Sequence, residues 1–96
     1  MRPSEALPQH RDTIRELVLR AGMANPRVFG SVLRGEDTED SDLDILVDPA
    51  PRTSLLDLAG LQIEIEARTG AKVDLLTPMC LPKKFRQRVL EEAQPV

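Results

Sequence analysis

Three carboxylates and a glycine–serine pair carry the chemistry that this sequence could perform. In Ser41-Asp42-Leu43-Asp44-Ile45-Leu46-Val47, acidic and apolar residues alternate, and strand side chains point to opposite faces with period two. Leu43, Ile45 and Val47 therefore share a core face, while Asp42 and Asp44 share the other, about 7 Å apart along the strand. Two carboxylates held together repel unless a cation compensates them. A hard divalent ion such as Mg²⁺ is held by one or two carboxylates plus substrate phosphates, which matches this pattern. The segment Lys72-Val73-Asp74-Leu75-Leu76 repeats it: Val73 and Leu75 read as inward, and Asp74 is an acid in a short strand, where β propensity disfavours it. If this strand lies beside the first, Asp74 joins Asp42 and Asp44. Three carboxylates could hold two metal ions roughly 3.5–4 Å apart, the arrangement used for in-line phosphoryl displacement.

Upstream, Gly30-Ser31 closes a strand where a short helix begins. Glycine lets the backbone approach a phosphate, and the free N–H groups of a helix start favour anions; the Ser31 hydroxyl adds a donor. Ten residues, Val32 to Ser41, separate Ser31 from Asp42, so a phosphate cradle and a cation site flank one short loop. Either feature alone is common in turns and acidic loops. Together, with a third acid in a strand, they read as a metal-dependent nucleotide site.

The elements that position these residues follow from periodicity. Ile14, Leu17, Val18 and Ala21 fall on one helical face, within a helix from about Leu7 to Ala21 that has Pro8 in its first turn and Gly22 as its stop. Asn25-Pro26 reads as a turn, Arg27 to Phe29 as a strand, Val32 to Arg34 as a helical turn and Glu36 to Asp40 as a polar loop. Ser41 to Asp48 is the second strand. Ser54 is a suitable N-cap for a helix from Leu55 to Thr69 closed by Gly70, with Leu55, Leu56, Ala59, Ile63 and Ala67 as its apolar stripe and Glu64 and Glu66 on its exposed side. Lys72 to Thr77 is a third strand. Lys83 to Ala93 is a last helix, with Phe85, Val89 and Leu90 facing inward. The expected class is α/β: a small mixed sheet of about three or four strands flanked by helices.

Ninety-six residues point to one domain spanning 1–96 with a small core, aliphatic because Phe29 and Phe85 are its only aromatics. No apolar run reaches the ~20 residues of a bilayer span, and the first residues lack a signal peptide's apolar stretch. The expected address is the cytoplasm, without membrane contact. Cys80 stands alone, which excludes an internal disulfide and multi-cysteine zinc sites; it reads as a packed residue. The net charge of −3 hides a segregation, with seven acids and no base from Glu36 to Asp48. A pI of about 5.1 argues against direct nucleic-acid binding. The one basic cluster, Lys83, Lys84, Arg86 and Arg88, reads as a solvated face or as a contact for phosphates, an acidic partner or RNA. His10 lies on the polar side of the first helix and is assigned no chemistry.

Phe29-Gly30-Ser31-Val32-Leu33-Arg34-Gly35, followed by Ser41 to Val47, resembles the minimal nucleotidyltransferases of the DNA polymerase β-like superfamily. The likeness extends over the chain in length, element order and the later Val73-Asp74-Leu75. It implies a polymerase β-like nucleotidyltransferase fold. Such proteins are commonly the antitoxin halves of bacterial and archaeal toxin–antitoxin pairs whose toxin is a HEPN-domain ribonuclease, and they use ATP and Mg²⁺ to place AMP on a tyrosine of that toxin. On this resemblance Gly30 and Ser31 hold the triphosphate, and Asp42 and Asp44 ligate metal. Asp74 completes the metal site and takes the proton of the attacking hydroxyl. Arg34 either contacts phosphate or forms a surface salt bridge. Val32 departs from the basic or larger residue frequent at its position, so a nucleotide contact is not carried over there.

Larger transferases of the superfamily grip base and acceptor with an extra domain, and this chain has no room for one. A partner protein in a hetero-oligomer is therefore expected, with Leu19, Leu58 and Leu61, off the main stripes, as candidate contacts. Two other functions fit the residues less fully: an antitoxin that masks its toxin by binding without catalysis, and a transferase acting on a small-molecule hydroxyl.

Overall fold

The structure, a computed structural model, describes residues 2–96. Its elements run α1 (Pro3–Arg20), β1 (Ala24–Phe29), α2 (Ser31–Arg34), β2 (Leu43–Asp48), α3 (Leu55–Thr69), β3 (Val73–Leu76), a 3-10 turn (Pro78–Cys80), α4 (Lys83–Glu92) and β4 (Gln94–Pro95). The four strands form one mixed sheet in the order β3-β2-β1-β4. β1 pairs antiparallel with both β2 and β4, and β2 pairs parallel with β3. A parallel pair needs a crossover, and α3 supplies it. The expected class, a mixed sheet flanked by helices, is what the chain forms.

One face of the sheet carries the core. Leu43, Ile45 and Val47 of β2, Val28 of β1 and Val73 and Leu75 of β3 pack against Ile14, Leu17 and Val18 of α1 and Leu58, Leu61 and Ile65 of α3. Leu46 points to the opposite face and is also fully buried, and the 3-10 turn packs against β2. Among the described residues no helix is long and apolar enough to cross a membrane.

Several expectations are corrected. α1 begins at Pro3, so Pro8 lies inside the helix rather than in its first turn. The early start has a cap that comes from far along the chain: the Ser4 N–H donates to Asp37 Oδ2 at 2.9 Å. Asn25-Pro26 is part of β1, where the register with β2 shifts. Asn25 takes φ +61°, a left-handed conformation that Asn tolerates better than most residues, so this turn signal is a bulge.

On α3 the two apolar stripes are exchanged. Leu58 and Leu61, expected at a partner interface, are in the core, whereas Leu55, Leu56 and Ile63 are 80%, 84% and 65% exposed, and Ala59 and Ala67 are exposed with them. The helix is apolar on both sides, and the side whose leucines meet Ile14 and Val73 is the one buried. Leu19 is exposed as expected. α4 has no buried residue; Phe85 and Leu90 are exposed and only Val89 is partly covered. Cys80 is exposed rather than packed, its Sγ 3.2 Å from Thr77 Oγ1.

The predicted ends of α3 are reproduced. Ser54 and Asp57 form a reciprocal capping box, and Gly70 closes the helix at φ +72°. The outer edge of β3 is closed by the same helix. Val73 N–H donates to Glu66 Oε2 at 2.9 Å and Leu75 N–H to Gln62 Oε1 at 3.1 Å. Glu66, read as solvated, is thus an edge cover, which is one way sheets blunt an unpaired donor row.

Candidate active site

The strand register assembles the site. Asp44 stands opposite Phe29 in the antiparallel pair and opposite Asp74 in the parallel one. Directly paired residues share a face, so Phe29, Asp44 and Asp74 form a row across three strands, on the side away from the core. Asp42 lies one residue before β2 and is exposed, while Asp44 and Asp74 are partly buried. All three predicted acids are brought to one edge.

Electrostatics couples them. Asp44 is pushed up to about 6, first by burial, then by Asp74 and Asp42, with Arg34 opposing. Asp74 is raised too, by burial and by Asp42. Stacking like charges at a partly dry site costs stability unless something compensates them. Among the described residues no three acidic, His or Cys side chains already converge as a closed metal cage. The acids form an open row, a donor set of hard oxygens suited to a divalent cation that completes its shell with phosphate oxygens and water.

Gly30 locks this row to the turn that follows β1. Its backbone sits at φ 80°, ψ −147°, a region open essentially to glycine alone. A Cβ built there would lie 2.2 Å from Asp44 Oδ2, far inside van der Waals contact. The glycine is therefore needed twice, for its conformation and for the space that the Asp44 carboxyl occupies. Sequence reasoning assigned it only the approach of a phosphate; the contact with Asp44 depends on a pairing that no local motif encodes.

Ser31 opens α2, whose first N–H groups lack intrahelical partners. Val32 is partly buried and packs against the core, which accounts for an apolar residue at that position. Arg34 forms an exposed pair with Glu36, Nε to Oε2 3.3 Å, so the salt-bridge alternative is realised, yet its charge also reaches Asp44. Not all of the acidic run belongs to the site. Asp37 is 6% exposed as the cap of α1, held below the usual carboxylate range chiefly by the Ser4 N–H. Asp48 binds Arg27 at 3.0 Å and Asn25 at 3.1 Å.

Beyond Gly30, on the side away from Asp74, the surface opens into two adjoining hollows of about 330 and 280 Å³ that share Gly30, Arg34 and Glu92. Leu33 and Gln94 complete the first. The second is walled by Phe29, Phe85, Val89 and the Leu81-Pro82 segment, with Arg88 at its rim. Sequence reasoning gave these residues no shared place.

Comparison with known proteins bears on what such a row does. The chain is 42% identical over 86 residues to the protein adenylyltransferase MntA of Thermococcus cleftensis, covering 90% of this chain and 84% of that protein. It is 40% identical over 77 residues, 80% of this chain and 83% of the relative, to a Methanocaldococcus jannaschii protein assigned as a protein adenylyltransferase. A solved structure assigned to the minimal nucleotidyltransferases superposes with a TM-score of 0.85 at 42% identity, covering 97% of this chain and 95% of the other. A solved toxin–antitoxin structure with AMP-PNP shares the fold, with a TM-score of 0.74 at 21% identity over 88% of this chain and 69% of that one. The nucleotidyltransferase domain model matches residues 7–96, a span that holds the glycine turn and all three acids, and the chain belongs to that family of nucleotidyl-transferring enzymes.

Proposed function

We propose that this chain is an antitoxin acting as a Mg²⁺-dependent protein adenylyltransferase, moving AMP from ATP to a hydroxyl, most simply a tyrosine, of a partner HEPN ribonuclease toxin. The observation that carries the reading is the register that sets Asp44 against Asp74, with Gly30 making room for the Asp44 carboxyl. The names of the relatives in Thermococcus and Methanocaldococcus support the protein acceptor.

In this reading Asp42, Asp44 and Asp74 hold Mg²⁺, as two ions bound to the open row. When bound, the metal neutralises phosphate charge and lowers the pKa of the acceptor hydroxyl. The chain's own groups do the rest by position and charge. The Gly30 turn and the Ser31 hydroxyl seat the triphosphate, and Arg34, released from Glu36, adds a positive charge to it. Asp74 accepts the proton of the attacking hydroxyl; burial raises its basicity above that of a surface carboxylate. The acceptor oxygen bonds to the α-phosphorus, the bond to the β-phosphate oxygen breaks, and pyrophosphate leaves.

The test uses the purified chain, its co-encoded partner, ATP and Mg²⁺, with intact masses of both proteins recorded. A gain of one or more AMP units on the partner, absent with the Asp42→Asn/Asp44→Asn variant, is expected. A stable complex without mass change would assign neutralisation to binding instead.

A further inference from the structure

Asp42 differs from the other two acids in what holds it. Asp44 and Asp74 lie within β2 and β3, where the strand register fixes them. Asp42 lies one residue before β2 and is exposed. Its charge nevertheless reaches both Asp44 and Asp74, so it is kept close to them. On its C-terminal side the fixed point is next door, where Leu43 N–H donates to the Lys72 carbonyl at 2.7 Å. On its N-terminal side stands the loop from Gly35 to Ser41, and one contact ties that loop down.

From Leu33 to Asp42 every residue is exposed except Asp37, which is buried, and Ser41, which is half-buried. A surface loop that buries a carboxylate needs a partner for it. That partner is distant in the chain: Ser4 N–H donates to Asp37 Oδ2 at 2.9 Å. The anchor is itself firm, because Pro3, Ala6 and Leu7 at the start of α1 are buried. Between Asp37 and Asp42 the chain closes on itself. Ser41 N–H donates to the Thr38 carbonyl at 3.1 Å, and Thr38 N–H donates to Ser41 Oγ at 2.8 Å. Asp40 N–H adds a bond to Thr38 Oγ1 at 3.3 Å. Thr38 to Ser41 thus form one closed turn, with the buried Asp37 at its entry and Asp42 at its exit.

We infer that Asp37 is a positioning residue for the transfer reaction: by tying the Thr38–Ser41 turn to the start of α1, it sets Asp42 where it can share a cation with Asp44 and Asp74. This rests on the cation reading of the acid row and adds a residue outside it, whose carboxylate is spent on the Ser4 N–H rather than on metal or nucleotide. The first turn of α1, remote in sequence, thereby helps to shape the site.

The test reads metal affinity rather than turnover. Mn²⁺ binding to the intact chain is followed by electron paramagnetic resonance, with circular dichroism to confirm the fold of each variant. Asp37→Ala is expected to weaken Mn²⁺ about ten-fold, the scale for residues that orient metal ligands. Ser4→Pro removes the donor from the other side of the bond, and proline is tolerated in a first helical turn. It should weaken Mn²⁺ equally, and it keeps the test decisive if Asp37→Ala does not fold. Asp37→Asn keeps an acceptor oxygen and restores the affinity. Ser54→Ala, a cap lost from another helix, lowers stability and leaves Mn²⁺ binding unchanged. A double-mutant cycle then identifies the ligand through which Asp37 acts. In an Asp42→Asn background Asp37→Ala should cost nothing further, whereas in an Asp74→Asn background its loss should persist. Undiminished Mn²⁺ binding by folded Asp37→Ala or by Ser4→Pro, equal weakening by Ser54→Ala, or a full loss on top of Asp42→Asn overturns the positioning role while the cation reading stands. Failure of the unmodified chain to bind Mn²⁺ overturns both.

Discussion

If the acid row is a cation site that costs the cation-free protein stability, then removing one charge should strengthen the fold while ending catalysis. Asp44→Asn is the sharpest form of this test. The Asp44 carboxyl is raised from the ordinary 3.8 to about 6, which at ~1.4 kcal/mol per pH unit is about 3 kcal/mol against the ionised form. Asp44 keeps contact with water, and solvent screening reduces this to about 1–2 kcal/mol. The sign follows from linkage: with a raised native pKa, the folded chain binds more protons than the unfolded one between about pH 4 and 6, so stability is lost as pH rises through that window. Urea denaturation followed by circular dichroism in chelator at pH 7.5 should show Asp44→Asn more stable than the unmodified chain by about 1–2 kcal/mol, or roughly 4–8 °C in Tm per kcal/mol. By pH 4 the difference should shrink toward zero, because the unmodified carboxyl is then protonated. Added Mg²⁺ should stabilise the unmodified chain by mass action and leave the variant unchanged. Equal or lower stability of Asp44→Asn at pH 7.5, or a gap that does not narrow in acid, refutes the argument.

Other consequences are as direct. Gly30→Ala should abolish AMP transfer and lower stability by about 1–3 kcal/mol, the scale of a non-glycine residue forced into this backbone region, read by melting and intact mass. Ser54→Ala removes one half of the α3 capping box and should cost about 1 kcal/mol with transfer rate unchanged. Glu66→Ala leaves the Val73 N–H without its acceptor, so hydrogen exchange at that amide should accelerate while the core amides of β2 keep their protection. Asp37 is held below the usual carboxylate range, so its contribution is present near neutral pH and lost as pH falls through its native pKa. Exchange at Ser4 should rise on acidification and in Asp37→Ala.

What the sequence disclosed and what it withheld divide along physical lines. The alternation around Asp42-Leu43-Asp44 and Val73-Asp74-Leu75 assigned those strands and their core faces because a half-buried strand writes its two faces into its own pattern. The ends of α3 were legible because capping is local. Which side of α3 meets the sheet was not, since both of its sides are apolar and only the position of α1 and the sheet decides between Leu56 and Leu61. α4 reads as amphipathic, yet Phe85 and Val89 edge a hollow rather than enter the core, and Leu90 is exposed. β4 is two residues long and is defined only by its pairing with Arg27 and Val28. Asp37 could not be told from its acidic neighbours, because its partner at Ser4 lies 33 residues away. The alternation foretold that Asp44 and Asp74 share the face away from the core, but the reason Gly30 must be glycine lies in a cross-strand register.

The closure of the β3 edge bears on how another chain can be recognised. Many partners dock by β-augmentation, adding a strand to an open sheet border through main-chain hydrogen bonds. Here one border has two of its outward donors, Val73 and Leu75, occupied by Glu66 and Gln62. The other ends in β4, where Pro95 has no N–H to offer. Both borders thereby discourage indiscriminate strand pairing, so that any contact of this sheet with another chain falls to side chains rather than to the backbone.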